Sequence, residues 1–92
     1  MSLYSVKVKE EAQLDLKRLL QHEPIAYKKA LKLIAELYEH PRTGTGKPEP
    51  LSGNRAGQWN RRISKKHRLV YEIHDTEVVV LVLTAYGHYD DK

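Results

Sequence analysis

The sequence of 92 residues contains no cysteine. Disulfide bonds and thiolate metal sites are therefore excluded, and a reducing cytoplasm is the expected location of the protein. Five histidines are present, but they are scattered along the chain without the spacing of metal ligands. We therefore expect neither a metal ion nor any other cofactor.

Long hydrophobic segments are also missing. The longest apolar run, Val78 to Leu83, is far too short to cross a bilayer. The first residues do not combine a basic region with an apolar one, as a signal peptide would, and the chain has no repeats or low-complexity segments. Its length fits one domain, residues 1–92. We expect a soluble, unexported protein of a single domain that makes no contact with membranes.

Acidic residues are nearly absent from residues 42–71. This stretch has eight Lys or Arg and one acid, Glu49, for a net charge of +7, whereas the rest of the chain sums to −3. A concentrated positive surface on so small a domain attracts polyanions, above all nucleic acid. The alternative is a solvated surface that only keeps the protein soluble.

The first forty residues combine a strand pattern with two helical patterns. Apolar and polar residues alternate over residues 3–9, which predicts a half-buried strand. Apolar residues then recur at helical spacing from Glu10 and again from Pro24, with Leu20 in the first apolar stripe and Tyr38 in the second. Because proline starts helices and interrupts them, Pro24 is the predicted corner of a helical hairpin.

The second half returns to strand patterns, over residues 58–63, 68–74 and 78–86. The element order βααβββ predicts an α+β domain. In this fold two helices pack on one face of a small antiparallel sheet. The other face, which we call the open face, is expected to be basic and exposed.

Burial constrains the register of the last three strands. If Tyr71 and its alternate neighbours face the helices, Trp59 and Arg61 must face them too. Arg61 fits there only if its stem is buried and its head reaches water. The same register sends Arg62 and Arg68 to the open face. Since the start of the third strand and the end of the fourth share one end of the sheet, Gly87 and the residues after it should emerge near Arg68.

Between the helices and these strands lies a long segment rich in glycine and proline. Such segments in small domains are usually functional or disordered, and here we expect a shaped loop. Pro48 and Pro50 flank Glu49 and stiffen the backbone in an extended form. The prolines should therefore fix the direction of the Glu49 carboxylate.

The residue types fit metal-free cleavage of RNA by its own 2′-hydroxyl, which needs a base, an acid and cations. Glu49 can be the base and His88 the acid, because imidazole titrates near neutral pH. Arg62 and Arg68 can stabilise the phosphorane, and Tyr89 can stack on a base. The alternatives are a solvated Glu49, a frayed His88 and arginines in surface ion pairs. Composition and spacing thus indicate a basic RNA-binding protein, and a metal-free ribonuclease is one option.

The run GKPEPLSGNRAGQWNRRISKKHRLVY, followed by an apolar strand and GHY, closely resembles the YoeB (Txe) branch of the RelE-like toxins of bacterial type II toxin–antitoxin systems. The resemblance is specific over residues 44–89, and the first forty residues match in element order. It implies a RelE-like, microbial-RNase-like fold. It also implies an mRNA endoribonuclease that enters the ribosomal A site and inhibits translation, with a cognate YefM-like antitoxin as partner. A homodimer is a further assembly left open.

The resemblance also implies residue roles. Glu49 matches the general base of the family, Arg68 its phosphate-stabilising arginine and Arg62 an accessory arginine. His88 and Tyr89 match the terminal general acid and the ring that orients the substrate. The expected substrate-binding set is completed by basic residues of the same region: Lys47, Lys65 and Lys66.

Two other functions remain open at this point. A protein of the same fold could act by binding alone, as a ParE-like inhibitor of DNA gyrase. An inactive family member is the other alternative, suggested only by the residues Asp90, Asp91 and Lys92 after Tyr89. The complete set of Glu49, Arg68, His88 and Tyr89 favours the nuclease.

Overall fold

The computed structural model describes residues 3–87. In chain order the elements are β1 (Ser5–Val8), α1 (Glu10–His22), α2 (Pro24–Leu37), β2 (Glu49–Pro50), β3 (Gln58–Arg62), β4 (Arg68–His74) and β5 (Val79–Thr84), with a short 3₁₀ turn at Gly53–Arg55. The predicted α+β class is confirmed, as are both helix starts and the corner at Pro24. The four predicted strands lie within about two residues of their predicted bounds, which is the usual uncertainty of element ends.

The sheet has the strand order β1-β5-β4-β3-β2. Strands β2 to β5 pair antiparallel in sequence, whereas β1 pairs parallel with β5. The sheet is therefore mixed, and not purely antiparallel as expected. Side chains alternate between the two faces whatever the direction of pairing, so the pattern of a four-residue strand does not reveal its direction.

The fifth strand, β2, lies in the segment that was expected to be only a loop. Glu49 is paired with Asn60 and Pro50 with Trp59, and the Leu51 N–H donates to the Gln58 carbonyl oxygen at 2.8 Å. The strand is at the sheet edge, where a proline without an N–H is tolerated. Its formation depends on the neighbouring strand β3, since two residues carry no strand pattern of their own.

The core lies between the two helices and one face of the sheet. Leu19 of α1 and Leu33 of α2 are completely buried and belong to the same cluster as Tyr71 of β4. Leu20 and Tyr38 were expected in the apolar stripes, but they are 51% and 38% exposed. Each residue advances about 100° around a helix, so Leu20, next to the buried Leu19, is turned away from the sheet.

Arg61 of β3 faces the helices as predicted, but its charged head does not reach water. The side chain is 0% exposed. An arginine has five N–H donors, and the Arg61 guanidinium makes five hydrogen bonds. The acceptors are the Tyr71 hydroxyl, the Glu36 carboxylate at 2.8 Å and the main-chain carbonyl oxygens of His40, Thr43 and Thr45.

These bonds join the end of α2 and the following loop to the sheet. The Glu36 carboxylate also accepts the Thr45 N–H at 2.9 Å. Desolvation raises the pKa of Glu36, but its hydrogen bonds with Thr45 and Arg61 outweigh this effect, so the pKa lies below its usual value. Residues 40–45 are thus anchored just ahead of β2, which carries Glu49.

Candidate functional site

Glu49 lies on the open face. It is opposite Asn60, which is opposite Val70 on β4, and directly paired residues of antiparallel strands point to the same side of a sheet. Because Leu69 and Tyr71 are in the core on the helix side, Val70, Asn60 and Glu49 must face away from it. Glu49 is exposed, and within residues 3–87 its carboxylate has no hydrogen bond or ion pair.

The backbone just before Glu49 is held in an unusual conformation. Gly46 has a φ of 85° and Lys47 a φ of 53°, which is uncommon for a residue with a side chain. The Gly46 carbonyl oxygen accepts the Arg62 N–H at 2.7 Å, and a Cβ at Gly46 would lie 3.1 Å from the Arg62 carbonyl oxygen. The glycine therefore permits a close approach of this loop to β3, which brings the chain into pairing position at Glu49.

Arg62 and Arg68 are direct cross-strand partners on β3 and β4. Arg62 is two positions after Asn60 along β3, so the arginine pair shares the open face with Glu49. The diagonal spacing from Glu49 to Arg62 is about 7–8 Å between Cα atoms. Like charges directly opposite each other destabilise a sheet. This pair therefore favours the binding of an anion between or above the two guanidinium groups.

The alternative of surface ion pairs for these arginines does not hold in the described part of the chain. There, neither Arg62 nor Arg68 forms an ion pair with Glu72 or Glu77; Glu72 instead contacts His74 at 3.0 Å and Gln58 at 3.5 Å. The Arg68 Nε is covered from solvent and has no hydrogen-bond partner there. An unpaired buried donor costs about 1–3 kcal/mol, so this N–H is an unsatisfied donor within residues 3–87.

The turn between β3 and β4 adds two further positive charges. Lys65 and Lys66 are exposed, and the Ser64 hydroxyl oxygen accepts the backbone N–H groups of Lys66 and His67, both at 3.2 Å. This side-chain to main-chain arrangement fixes a tight turn. Lys65 and Lys66 thus extend the positive charge of the arginine pair at one end of the hairpin, while Lys47 is exposed beside β2.

The chain end returns to Arg68 as the register predicted. The Gly87 carbonyl oxygen accepts the Arg68 N–H at 3.0 Å. Gly87 is the last residue that the structure describes, and the predicted acid His88 and predicted stacking ring Tyr89 lie outside the described residues. The site residues that the structure brings onto one face are therefore Glu49, Arg62 and Arg68.

His67 is one of the five scattered histidines, and its spacing in the sequence indicates no role for it. It is 3% exposed, and its ring nitrogens contact Glu23 at the corner of the two helices and the Gly87 N–H. The available signal was alternation: His67 is two residues before the inward-facing Leu69. Extending the strand period back across the start of β4 would have placed it on the helix side.

A cleft of about 390 Å³ adjoins Val70 on the open face. Val70 and Leu83 give it an apolar floor, and its other lining residues are Arg55, Thr84 and residues 9–11.

Within residues 3–87, no three His, Asp or Glu side chains are close enough together to bind a metal ion. Neither helix of the described chain is long and apolar enough to cross a bilayer.

The sequence model for YoeB-like toxins of bacterial type II toxin–antitoxin systems matches residues 8–89. The chain belongs to this family. Among curated YoeB toxins, that of Mycobacterium bovis is 52% identical over 50 residues, which cover 54% of this chain and 59% of the relative. The YoeB toxin of Synechocystis is 46% identical over 66 residues, or 67% of this chain and 74% of the relative. The match thus spans only about three fifths of the mycobacterial toxin.

Solved structures of YoeB toxins extend the similarity to nearly the whole chain. A YoeB/ParE toxin from Agrobacterium tumefaciens superposes with a TM-score of 0.84 at 30% identity and covers 92% of this chain and 99% of its own. A YoeB-YefM complex from Staphylococcus aureus has a TM-score of 0.77 at 30% identity, covering 94% of this chain and 98% of the matched chain. The predicted relation to YoeB toxins is therefore confirmed, together with the fold.

Proposed function

We propose that this YoeB-family toxin is a ribosome-dependent endoribonuclease that cuts mRNA without a metal ion and so inhibits translation. The observation that carries the proposal is the arrangement of the open face. It combines an exposed carboxylate, Glu49, with the cross-strand pair Arg62 and Arg68, and neither arginine forms an ion pair with a carboxylate of residues 3–87. A base next to concentrated positive charge is what transesterification of a phosphodiester requires.

In the proposed reaction Glu49 removes the proton from a ribose 2′-hydroxyl. The resulting oxygen attacks the adjacent phosphorus, a 2′,3′-cyclic phosphate forms, and the bond from phosphorus to the 5′-oxygen breaks. Arg68 binds the phosphate oxygens as negative charge builds up, with Arg62 beside it; planar guanidinium groups suit this geometry.

The departing 5′-oxygen needs a proton, and we assign its donor as His88. The assignment depends on the family resemblance and on the position of Gly87, whose carbonyl oxygen bonds to the Arg68 N–H. Imidazole can hold a proton near neutral pH and release it in the transition state. Tyr89 is assigned to stacking on a base next to the cleaved bond.

Binding of the RNA backbone is assigned to the lysines around the site. Lys65 and Lys66 on the β3–β4 turn and Lys47 beside β2 are exposed and suit phosphate contacts. The cleft over Val70 borders the row that contains Glu49. An unpaired nucleotide next to the scissile bond could occupy this cleft.

The proposed partners are the ribosome with its bound mRNA and a YefM-like antitoxin. The solved YoeB-YefM complex of Staphylococcus aureus supports the second, and a YoeB dimer from the same organism supports a homodimer as a further assembly. We expect the antitoxin to cover the basic open face with an acidic or amphipathic segment. These partners place the proposed activity in the cytoplasm.

Primer-extension mapping of one mRNA in a purified translation system tests the proposal. The protein should cut the mRNA when ribosomes are translating it and leave it intact when ribosomes are omitted. Adding an excess of the antitoxin should suppress the cuts. Absence of cuts under every condition would favour the gyrase-binding or inactive alternatives, and equal cutting without ribosomes would refute the dependence on the ribosome.

Replacing both turn lysines, Lys65→Glu with Lys66→Glu, is expected to weaken ribosome binding steeply. If each lysine contacts a phosphate, the slope of log affinity against log salt should fall by about 2. The control is Lys28→Glu with Lys32→Glu, which makes the same charge change on exposed residues of α2, on the other side of the sheet. Equal losses in the two variants would show a general charge effect and remove the turn from the binding surface.

A further inference from the structure

The last described residues, Ala85, Tyr86 and Gly87, are each held by a different side chain. The Ala85 N–H donates to the Asp15 carboxylate at 2.9 Å. The Arg18 guanidinium lies 3.8 Å from the centre of the Tyr86 ring, and the Gly87 N–H donates to His67 Nδ1 at 2.8 Å. Residues beyond the last strand of a sheet are usually poorly ordered unless specific contacts hold them. Three consecutive anchored residues therefore suggest that the position of this segment matters for function.

His67 provides the innermost of these contacts. Its ring packs against the Tyr86 ring, with 4.4 Å between ring centres. Because Nδ1 accepts the Gly87 N–H, it carries no proton, and the ring proton of a neutral imidazole must then be on Nε2. Nε2 lies 2.6 Å from a Glu23 carboxylate oxygen, to which it donates. The hydrogen bond to His67 lowers the pKa of Glu23, so this acceptor remains a carboxylate near neutral pH.

Both backbone polar groups of Gly87 bond to neighbouring residues at the start of β4, His67 and Arg68. Its N–H bonds to the His67 side chain, and its carbonyl oxygen accepts the Arg68 N–H at 3.0 Å. Gly87 has a φ of 76°, a left-handed conformation that glycine adopts at little cost. Position and direction of the chain are therefore fixed one residue before His88 and next to the proposed phosphate-binding Arg68.

We propose that His67, oriented by Glu23, is a positioning residue that fixes the point from which the general acid is delivered. The effect on cleavage rests on the proposed function, whereas the anchoring of Gly87 does not. Misplacing a reacting group by about 1 Å can cost on the order of 100-fold in rate. His67 itself exchanges no proton with the substrate in this scheme.

Two substitutions separate positioning from simple packing. In His67→Asn the amide oxygen takes the place of Nδ1 and can still accept the Gly87 N–H, while the contact with Glu23 is lost. In His67→Gln the longer side chain can still donate to Glu23, but no acceptor atom remains at the position of Nδ1. Both variants are smaller than wild type in the core, so thermal unfolding should report a comparable loss of stability.

The expected result is that kcat for mRNA cleavage falls by about 10- to 100-fold in His67→Gln, with KM little changed, and recovers most of that loss in His67→Asn. Equal falls in kcat in the two variants would mean that His67 contributes only by packing in the core. Wild-type kcat in both would also overturn the proposal. If His67→Gln does not fold, Glu23→Ala at the partly exposed corner replaces it, with a smaller fall in kcat expected because the ring tautomer is no longer fixed.

Hydrogen exchange of the Gly87 amide tests the anchoring without substrate or ribosomes. We expect the amide to be protected in the wild type and in His67→Asn, and to exchange faster in His67→Gln. A wild-type protein that does not cut RNA but has a protected Gly87 amide would refute the proposed function and leave the anchor intact. A freely exchanging Gly87 amide in the wild type would refute the anchor, whatever the cleavage assay gives.

Discussion

Glu49→Gln is expected to lower the rate of mRNA cleavage by about 10²- to 10⁴-fold, the usual contribution of a general base. Glutamine keeps the size and polarity of the side chain but does not accept a proton at neutral pH. Since the Glu49 carboxylate is exposed and makes no hydrogen bond to residues 3–87, the substitution should leave the folded structure unchanged. Single-turnover cleavage on stalled ribosomes measures the rate, and ribosome binding should stay close to that of the wild type.

The matched control is Glu72→Gln. Glu72 is on β4 two residues from Val70, so it shares the open face with Glu49, but it contacts Gln58 and His74. The same chemical change on the same face should leave cleavage within a few-fold of wild type. If Glu49→Gln cuts as fast as the control, the base is another group. If both variants lose activity equally, the total charge of the open face affects the rate, and Glu49 has no specific role as the base.

The grouping of Glu49, Arg62 and Arg68 could be inferred in part from the sequence. Strand period and burial placed Arg62 and Arg68 on the face away from the helices, and their direct pairing follows from that register. The position of Glu49 could not be inferred in the same way. A Pro-Glu-Pro segment has no strand pattern, and β2 exists because β3 offers an open edge. The pairing of Glu49 with Asn60 determines the face of the sheet on which Glu49 lies, and only the structure supplies this pairing.

Two buried polar residues whose environment the sequence does not reveal have distant main-chain groups as partners. His67 bonds to the Gly87 amide, and Arg61 bonds to carbonyl oxygens of the loop after α2. Every residue has a carbonyl oxygen and almost every residue has an N–H. A sequence therefore does not distinguish the particular backbone groups that will accept or donate such a bond. Burial of a charged head is predictable only once those partners are known.

Arg61→Met is expected to lower the free energy of unfolding by about 3–5 kcal/mol, the range found when one partner of a buried ion pair is removed. Methionine fills much of the volume of the arginine stem but donates no hydrogen bond. The Glu36 carboxylate would lose its cationic partner, and the Tyr71 hydroxyl and three loop carbonyl oxygens would each lose a donor. Urea denaturation followed by circular dichroism measures the change.

Arg61→Lys is the control, because lysine keeps the positive charge without the planar arrangement of five donors. It should restore only part of the stability, since three rotatable N–H groups cannot reach acceptors that lie all around the guanidinium plane. Full recovery with lysine would mean that charge pairing with Glu36 is sufficient. Wild-type stability in Arg61→Met would mean that the loop carbonyl groups find other donors at little cost.

The pH dependence of stability separates the ion pair from the loop bonds. The pKa of Glu36 in the folded protein lies below its usual value of 4.5, so its contribution is present above that pH and is lost as the pH falls through the folded-state pKa. Arg61→Met removes one of the groups that lower this pKa, and the decline of stability on acidification should become shallower. A large loss of unfolding free energy at pH 7 with an unchanged decline of stability at acidic pH would mean that Arg61 acts mainly by holding residues 40–45.

Because those residues lead directly to Gly46 and β2, the variant should also cleave mRNA more slowly under conditions where it is still folded.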